Sequence, residues 1–248
     1  MKKLSLIFSI ALAFAFVMSG CDKEGNNTVT GNQTSITYKV GTEDFNLNQV
    51  YQDKTGRNFT ISRIQFYVSG ISLTTNGGNT ISFPDEHLVI TPDQSVYELP
   101  DVPAGNYSML SFNVGVDTPA NNSDPTLYPA SNPLSIQHPW FAHWSWNSGY
   151  RFIVVEGLVD TSAAGTGTPS GLLEYHLGTN NLLRNVSFNS PIEVSEDNPF
   201  SMSLEVDILE IFDQIDLSTE DGSVSHTMDN MSIAMQVSNN FAAAIEAQ

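Results

Sequence analysis

Apolar and polar residues alternate at period two along much of the chain, the spacing of a strand with one face buried. In residues 58–73, Ile64, Phe66 and Val68 alternate with Arg63, Gln65 and Tyr67. Gly70 then interrupts, and Ile71 and Leu73 carry the apolar phase on the other parity, which predicts a strand pair with a bulge at Gly70. A short strand is expected from Ile36, and Asn76-Gly77-Gly78-Asn79 marks a turn before short strands at 81–83 and 87–90. Residues 107–116 place Leu110, Phe112, Val114 and Val116 on one face. Residues 150–159 are almost continuously apolar, as in a strand at the centre of a sheet. Residues 160–171, rich in Gly, Thr, Ser and Pro, read as a hairpin loop, followed by strands at 172–177 and 185–188. Phe200, Met202, Leu204 and Val206 alternate with polar neighbours. Residues 208–215 predict a short helix. Residues 231–245, with Ile233, Val237, Phe241 and Ile245 near helical spacing, predict a C-terminal one. Many short strands between turn signals give an all-β chain, an antiparallel β-sandwich or barrel. No internal repeat and no second hydrophobic pattern divides residues 36–248, which read as one domain.

The first 35 residues follow other rules. Lys2 and Lys3 precede an apolar run, 4–17, that is too short and wrongly flanked for a membrane span. Met18-Ser19-Gly20-Cys21 follows, with small residues before the only cysteine. This is the pattern of a lipoprotein signal over 1–20, with Cys21 as the lipidated residue. A lone cysteine has no disulfide partner in the chain, and lipidation would anchor the protein to a bilayer rather than thread it through. Residues 21–35 are polar and read as a tether.

Charge narrows the partners. Removing residues 1–20 takes away Lys2 and Lys3 and no acid, which makes the net charge −20 instead of −18. Such a chain lacks the basic surface that nucleic acids require. The acidic run Asp216 to Gly222 does not have EF-hand spacing and reads as a solvated loop. There is no CxxC, phosphate loop, GxSxG or HExxH, so the sequence gives an enzyme no foothold.

The densest chemistry lies in residues 138–157, HPWFAHWSWNSGYRFIVVEG, which hold Trp140, Trp144, Trp146, His138 and His143. In a strand Trp144 and Trp146 share a face and His143 takes the other. The stretch follows a long loop, 117–133, of the length usually reserved for function.

Four segments together resemble one family. They are IQFYVSGISL (64–73), VPAGNY through FNVGVD (102–117), WSWNSGY through EG (144–157) and YHLG (175–178). In this order they resemble the MbnP-like family of periplasmic copper-binding proteins, over about residues 36–245, and the WSWNSGY segment is the most specific. The resemblance implies a secreted or lipid-anchored β-sandwich that holds copper, on the periplasmic face or the outer-membrane surface. It implies a partner, a di-haem protein of the MauG/cytochrome c peroxidase type, that oxidises a tryptophan of the copper protein to kynurenine. The candidates for that modification are Trp144 and Trp146, the two inside the motif.

Imidazole suits copper. His176, in the family-like YHLG, is the first candidate ligand, and His226, which matches a histidine common in the family, is the second. His143 departs from the family, where an aromatic residue is common; it reads as an extra ligand or an aromatic-sized filler. His138 is a weaker candidate, His87 reads as a surface histidine, and Met202 as packing. Glu156, a carboxylate inside an apolar run, needs a partner. That partner is Arg63 or Arg184, unless Glu156 orients a ligand histidine. The rival reading is an acidic surface lipoprotein that binds a protein or glycan, with Trp140 and Phe141 stacking on sugars.

Overall fold

The computed structural model describes residues 27–145 and 149–248. The signal segment 1–20, Cys21 and Trp146 lie outside the described residues. The chain is a β-sandwich. Its principal strands are β1 (Gln33–Val40), β2 (Asn58–Thr75), β3 (Gly105–Val114), β4 (Ile153–Val159), β5 (Gly171–Leu177), β6 (Arg184–Val194), β7 (Ser201–Asp207), β8 (Val224–Ser225) and β9 (Ile245–Ala247). The larger sheet runs β6–β3–β2–β4–β5–β8, and three short strands also pair along β2. The smaller sheet runs β9–β7–β1, with Glu43–Asp44 beyond β1 and Val96–Glu98 also paired to it. Pairings are antiparallel except β5 with β8 and β1 with β7. Among the described residues no helix is long and apolar enough to cross a membrane.

The pattern of residues 58–73 resolves into one strand rather than a pair: β2 is 18 residues long and continuous. The parity change at Gly70 is a bulge, because Ser111 faces Ser72 whereas Asn113 faces Ser69. The strand pairing also starts earlier than a tether through Ser35 would allow. Thr28–Val29 pairs with Val102–Pro103, and β1 begins at Gln33. Asn32 fixes the break between the two, since its buried amide donates to the carbonyls of Val29 and Pro100 and accepts from the Phe200 N–H.

As its composition predicts, β4 is central, paired on both sides by β2 and β5. Its Ile153 and Val155 point into the sandwich with Ile64 and Phe66 of β2 and Tyr175 of β5, all buried. The other parity of these strands forms the outer face. There Val154 lies between Gln65 and His176, and Glu156 between Arg63 and Glu174. Gly157 follows at a register shift. A Cβ there would lie 1.9 Å from the Thr60 carbonyl oxygen, so only glycine permits this approach.

The C-terminal helix α1 (Met231–Ala243) closes the open side. Asn230 caps it by accepting from the Ile233 N–H, and Phe241 meets Phe66 edge to face at 5.0 Å. The loop 117–133 is largely structured. It holds a helical turn at Thr118–Asn121 and a 3-10 turn at Pro125–Leu127. Its Asn121 Oδ1 accepts from the Tyr150 N–H at 2.8 Å. Gly149, with φ of 72° and no room for a Cβ against the Asn121 side chain, completes that contact. The loop thus holds the hairpin that presents the aromatic segment.

Candidate metal centre

The outer face of β5 carries Glu174 and His176 two residues apart, hence side by side. The parallel partner strand β8 ends at Ser225 and delivers His226 alongside them. One donor atom from each of Glu174, His176 and His226 falls within 4.8 Å of the others. Glu174 Oε1 lies 3.3 Å from His176 Nδ1 and 3.1 Å from His226 Nε2. First-row ions bind imidazole nitrogen at about 2.0–2.1 Å, so donors on one ion sit about 3–4 Å apart. The carboxylate already stands at that spacing from both rings.

The other nitrogen of each ring is held by a further carboxylate. His176 Nε2 is 2.8 Å from Glu156 Oε1, and His226 Nδ1 is 3.0 Å from Asp229 Oδ2. Such carboxylate–histidine pairs fix the ring orientation of metal ligands and leave the inward nitrogen for the ion. Glu156 is itself paired with Arg63 at 3.4 Å, so it both satisfies an arginine and orients a histidine. Arg184, its other expected partner, hydrogen-bonds to Asn239 instead.

The pKa values of the two imidazoles are shifted in opposite directions. Burial pushes His176 down, with Arg151 adding to it and the Glu156 hydrogen bond opposing. Burial also acts downward on His226, but the hydrogen bonds to Asp229 and Glu174 outweigh it and its pKa rises.

Trp144 completes a triangle of rings. Its ring centroid is 5.8 Å from that of His176 and 6.2 Å from that of His226, and the imidazoles are 5.3 Å apart, all edge to face. The Arg151 guanidinium sits 4.4 Å from the Trp144 ring centroid. Trp144 is in the hairpin His143–Ser145/Gly149–Tyr150. On the opposite side of that hairpin, His143 stacks on Phe141 at 5.6 Å and meets Tyr150 edge-on at 4.7 Å, the environment of an aromatic filler. His138 accepts from the Trp140 N–H through Nδ1 at 3.2 Å and lines an open groove of about 580 Å³ with Pro139, Trp140 and Tyr97. Neither belongs to the cluster of close donors. Far from being a surface residue, His87 is buried, with Nε2 2.8 Å from Asp117 Oδ2. Met202 is half-buried against the core.

Sequence reasoning missed Glu174 and Asp229. Glu174 was detectable, since a carboxylate two residues before His176 in a strand must share its face. Asp229 follows His226 in a turn without periodicity, and no sequence signal points to it. An open cavity of about 580 Å³ is lined by Asp216, Glu220, Asp221 and Asp229, the last of which holds the His226 ring.

Comparison with known proteins adds two matches. The MbnP family model matches residues 32–232. Among solved structures the chain is similar to MbnP from Methylosinus trichosporium, with a TM-score of 0.52 and 15% sequence identity over 75% of this chain and 78% of that one. At that identity the likeness shows the fold alone. No curated protein sequence matches the chain.

Proposed function

The chain belongs to the MbnP family, and from that premise we propose that it is a copper-binding protein of the cell envelope, not an enzyme. The observation that carries this reading is the convergence of Glu174, His176 and His226 within 4.8 Å. Two imidazoles and one carboxylate are a donor set that copper accepts. His176 Nδ1, His226 Nε2 and the Glu174 carboxylate would hold the ion, while Glu156 and Asp229 would keep both rings in place. The acidic cavity beside Asp229 favours approach of a cation.

The nearness of Trp144 supports a modification at the site, since its ring centroid lies 5.8 Å and 6.2 Å from those of the two imidazoles. Its conversion to kynurenine would be carried out by a di-haem partner of the MauG/cytochrome c peroxidase type. That step cleaves the indole C2–C3 bond and puts one oxygen on each carbon. It removes four electrons, which reduce two molecules of hydrogen peroxide to water. Hydrolysis then releases C2 as formate and leaves an aromatic amine beside a carbonyl. Cys21 would carry the acyl anchor that holds the protein to the bilayer.

Two experiments test the reading. Replacing His176 and His226 together by alanine should abolish tight copper binding while the circular dichroism of the β-sandwich is kept; undiminished affinity would refute the site. The mass of the peptide spanning residues 140–146, taken from protein in its native envelope, tests the modification. One carbon lost and one oxygen gained on Trp144 supports it, the same change on Trp146 moves it to that residue, and three unaltered indoles remove the partner from the reading.

A further inference from the structure

Among the described residues three non-glycine positions have a left-handed backbone, Asn48, Gln214 and Thr227, and only Thr227 is β-branched. At a φ of 71° a β-branched side chain crowds its own backbone, so the conformation persists only where the surroundings enforce it. Thr227 follows His226 and is only 2% exposed. Its hydroxyl donates to the carbonyl of His176 at 2.9 Å and accepts from the Gly178 N–H at 3.0 Å. Its own N–H donates to Ser225 Oγ at 3.2 Å.

These contacts tie the two histidines together through one side chain. The ladder between β5 and β8 covers only Glu174–Val224 and Tyr175–Ser225. Beyond Ser225 the Thr227 hydroxyl takes over the cross-link, and its partner is the backbone of His176 itself. The left-handed turn also brings the Met228 N–H to the His226 carbonyl at 2.9 Å. It aligns Asp229 to accept from both the His226 N–H, at 2.7 Å, and its ring. We infer that Thr227 is a positioning residue: its strained backbone and bridging hydroxyl set the separation of the His176 and His226 rings and so preform the centre. The inference rests on the metal-site reading for its consequence, but the placement of the rings can be measured without metal.

The test compares Thr227→Ser, Thr227→Gly and Thr227→Val in the full chain. Three quantities are read: the unfolding temperature, the imidazole 15N–1H correlations of the metal-free protein, and copper(II) affinity against a competing chelator. Serine keeps the hydroxyl and should match the parent in all three. Glycine adopts the positive φ without strain, which offsets part of the cost of the two lost hydrogen bonds, so it should still fold. It lacks the bridge, however, and should shift or broaden the His176 and His226 signals and weaken copper by about 10–100-fold, as losses of ligand-supporting groups do. Valine, if it folds, should show the same loss with the strain retained. A glycine variant with unmoved imidazole signals and unchanged affinity overturns the inference. If the His176/His226 double alanine variant still binds copper, the metal reading fails separately, and the metal-free imidazole spectrum of the glycine variant still decides the role of Thr227.

Discussion

Glu156 Oε1 accepts from His176 Nε2 at 2.8 Å, across the pairing of β4 with β5. This contact selects the tautomer of His176, because a proton on Nε2 leaves Nδ1 with a free lone pair. Nδ1 is the nitrogen that faces Glu174 and, across it, His226. Replacing Glu156 by Gln keeps the size and removes the charge. Copper affinity should fall by about 10–100-fold, with the strand ladder intact by circular dichroism. Replacing Glu174 by Gln removes a proposed ligand and should cost more than Glu156→Gln. Equal losses, or a larger loss at Glu156, would exchange the roles assigned to the two carboxylates.

Arg151 lies over Trp144 with its charge 4.4 Å from the ring centroid, a cation–π contact of about 0.5–2 kcal/mol depending on desolvation. The same charge lowers the pKa of both His143 and His176. Arg151→Met keeps most of the stem and removes the charge. Both imidazole pKa values, followed by NMR titration, should rise. A double-mutant cycle with Trp144→Leu should show a favourable coupling of the same order as the cation–π contact. A coupling near zero would mean that Trp144 is held by its imidazole neighbours alone.

Much of this was legible in the sequence because strand periodicity carries it. The central place of β4, the bulge at Gly70, the C-terminal helix and the need of Glu156 for a partner follow from a continuous apolar run, period two, period 3.6 and the cost of a buried charge. Three features resist that reading. β2 looks like two strands because a one-residue bulge inverts parity without ending the strand. His87 is buried because a loop folds over it and supplies Asp117, a pairing 30 residues apart that no local pattern encodes. Asp229 joins the site through a turn, where hydrogen bonds rather than periodicity set direction. The glycines of the family-like motif also have a structural meaning. Gly149 and Gly157 stand where Asn121 and Thr60 leave no room for a Cβ, so the most specific segment of the chain encodes backbone proximity as well as chemistry.

Gly157 provides a sharp test of that proximity. A methyl group there would lie 1.9 Å from the Thr60 carbonyl oxygen and 2.9 Å from the Ile61 Cα. Both obstacles are backbone atoms of β2, which cannot step aside as a side chain could. Gly157→Ala must therefore part β4 from β2 next to Glu156. The variant should lose about 1–3 kcal/mol of stability, toward the upper end or beyond for a backbone clash, read from chemical denaturation. Copper affinity should fall with it, because Glu156 moves with the strand. A variant as stable as the parent would show that the register shift at Ser62 of β2 can move along the pairing.

His143 makes stability depend on pH without any metal. Its ring stacks on Phe141 and meets Tyr150 edge-on, and burial, helped by the Arg151 charge, holds its pKa below the ordinary value of 6.5. The unfolded chain therefore takes up this proton first as pH falls. The contribution of His143 is fully present above about pH 6.5 and is lost as pH drops from there towards the depressed folded value. His138 and His176 are lowered as well and act in the same direction. His226 is raised, so its contribution is present at low pH and lost as pH rises through its folded value. His143→Phe preserves an aromatic ring in the stack and removes one of the groups that weaken the fold in acid. Its unfolding temperature should fall less steeply than that of the parent between about pH 7 and pH 5. Parallel curves for the two proteins would mean that the folded and unfolded states protonate His143 alike, and would contradict its burial in the hairpin.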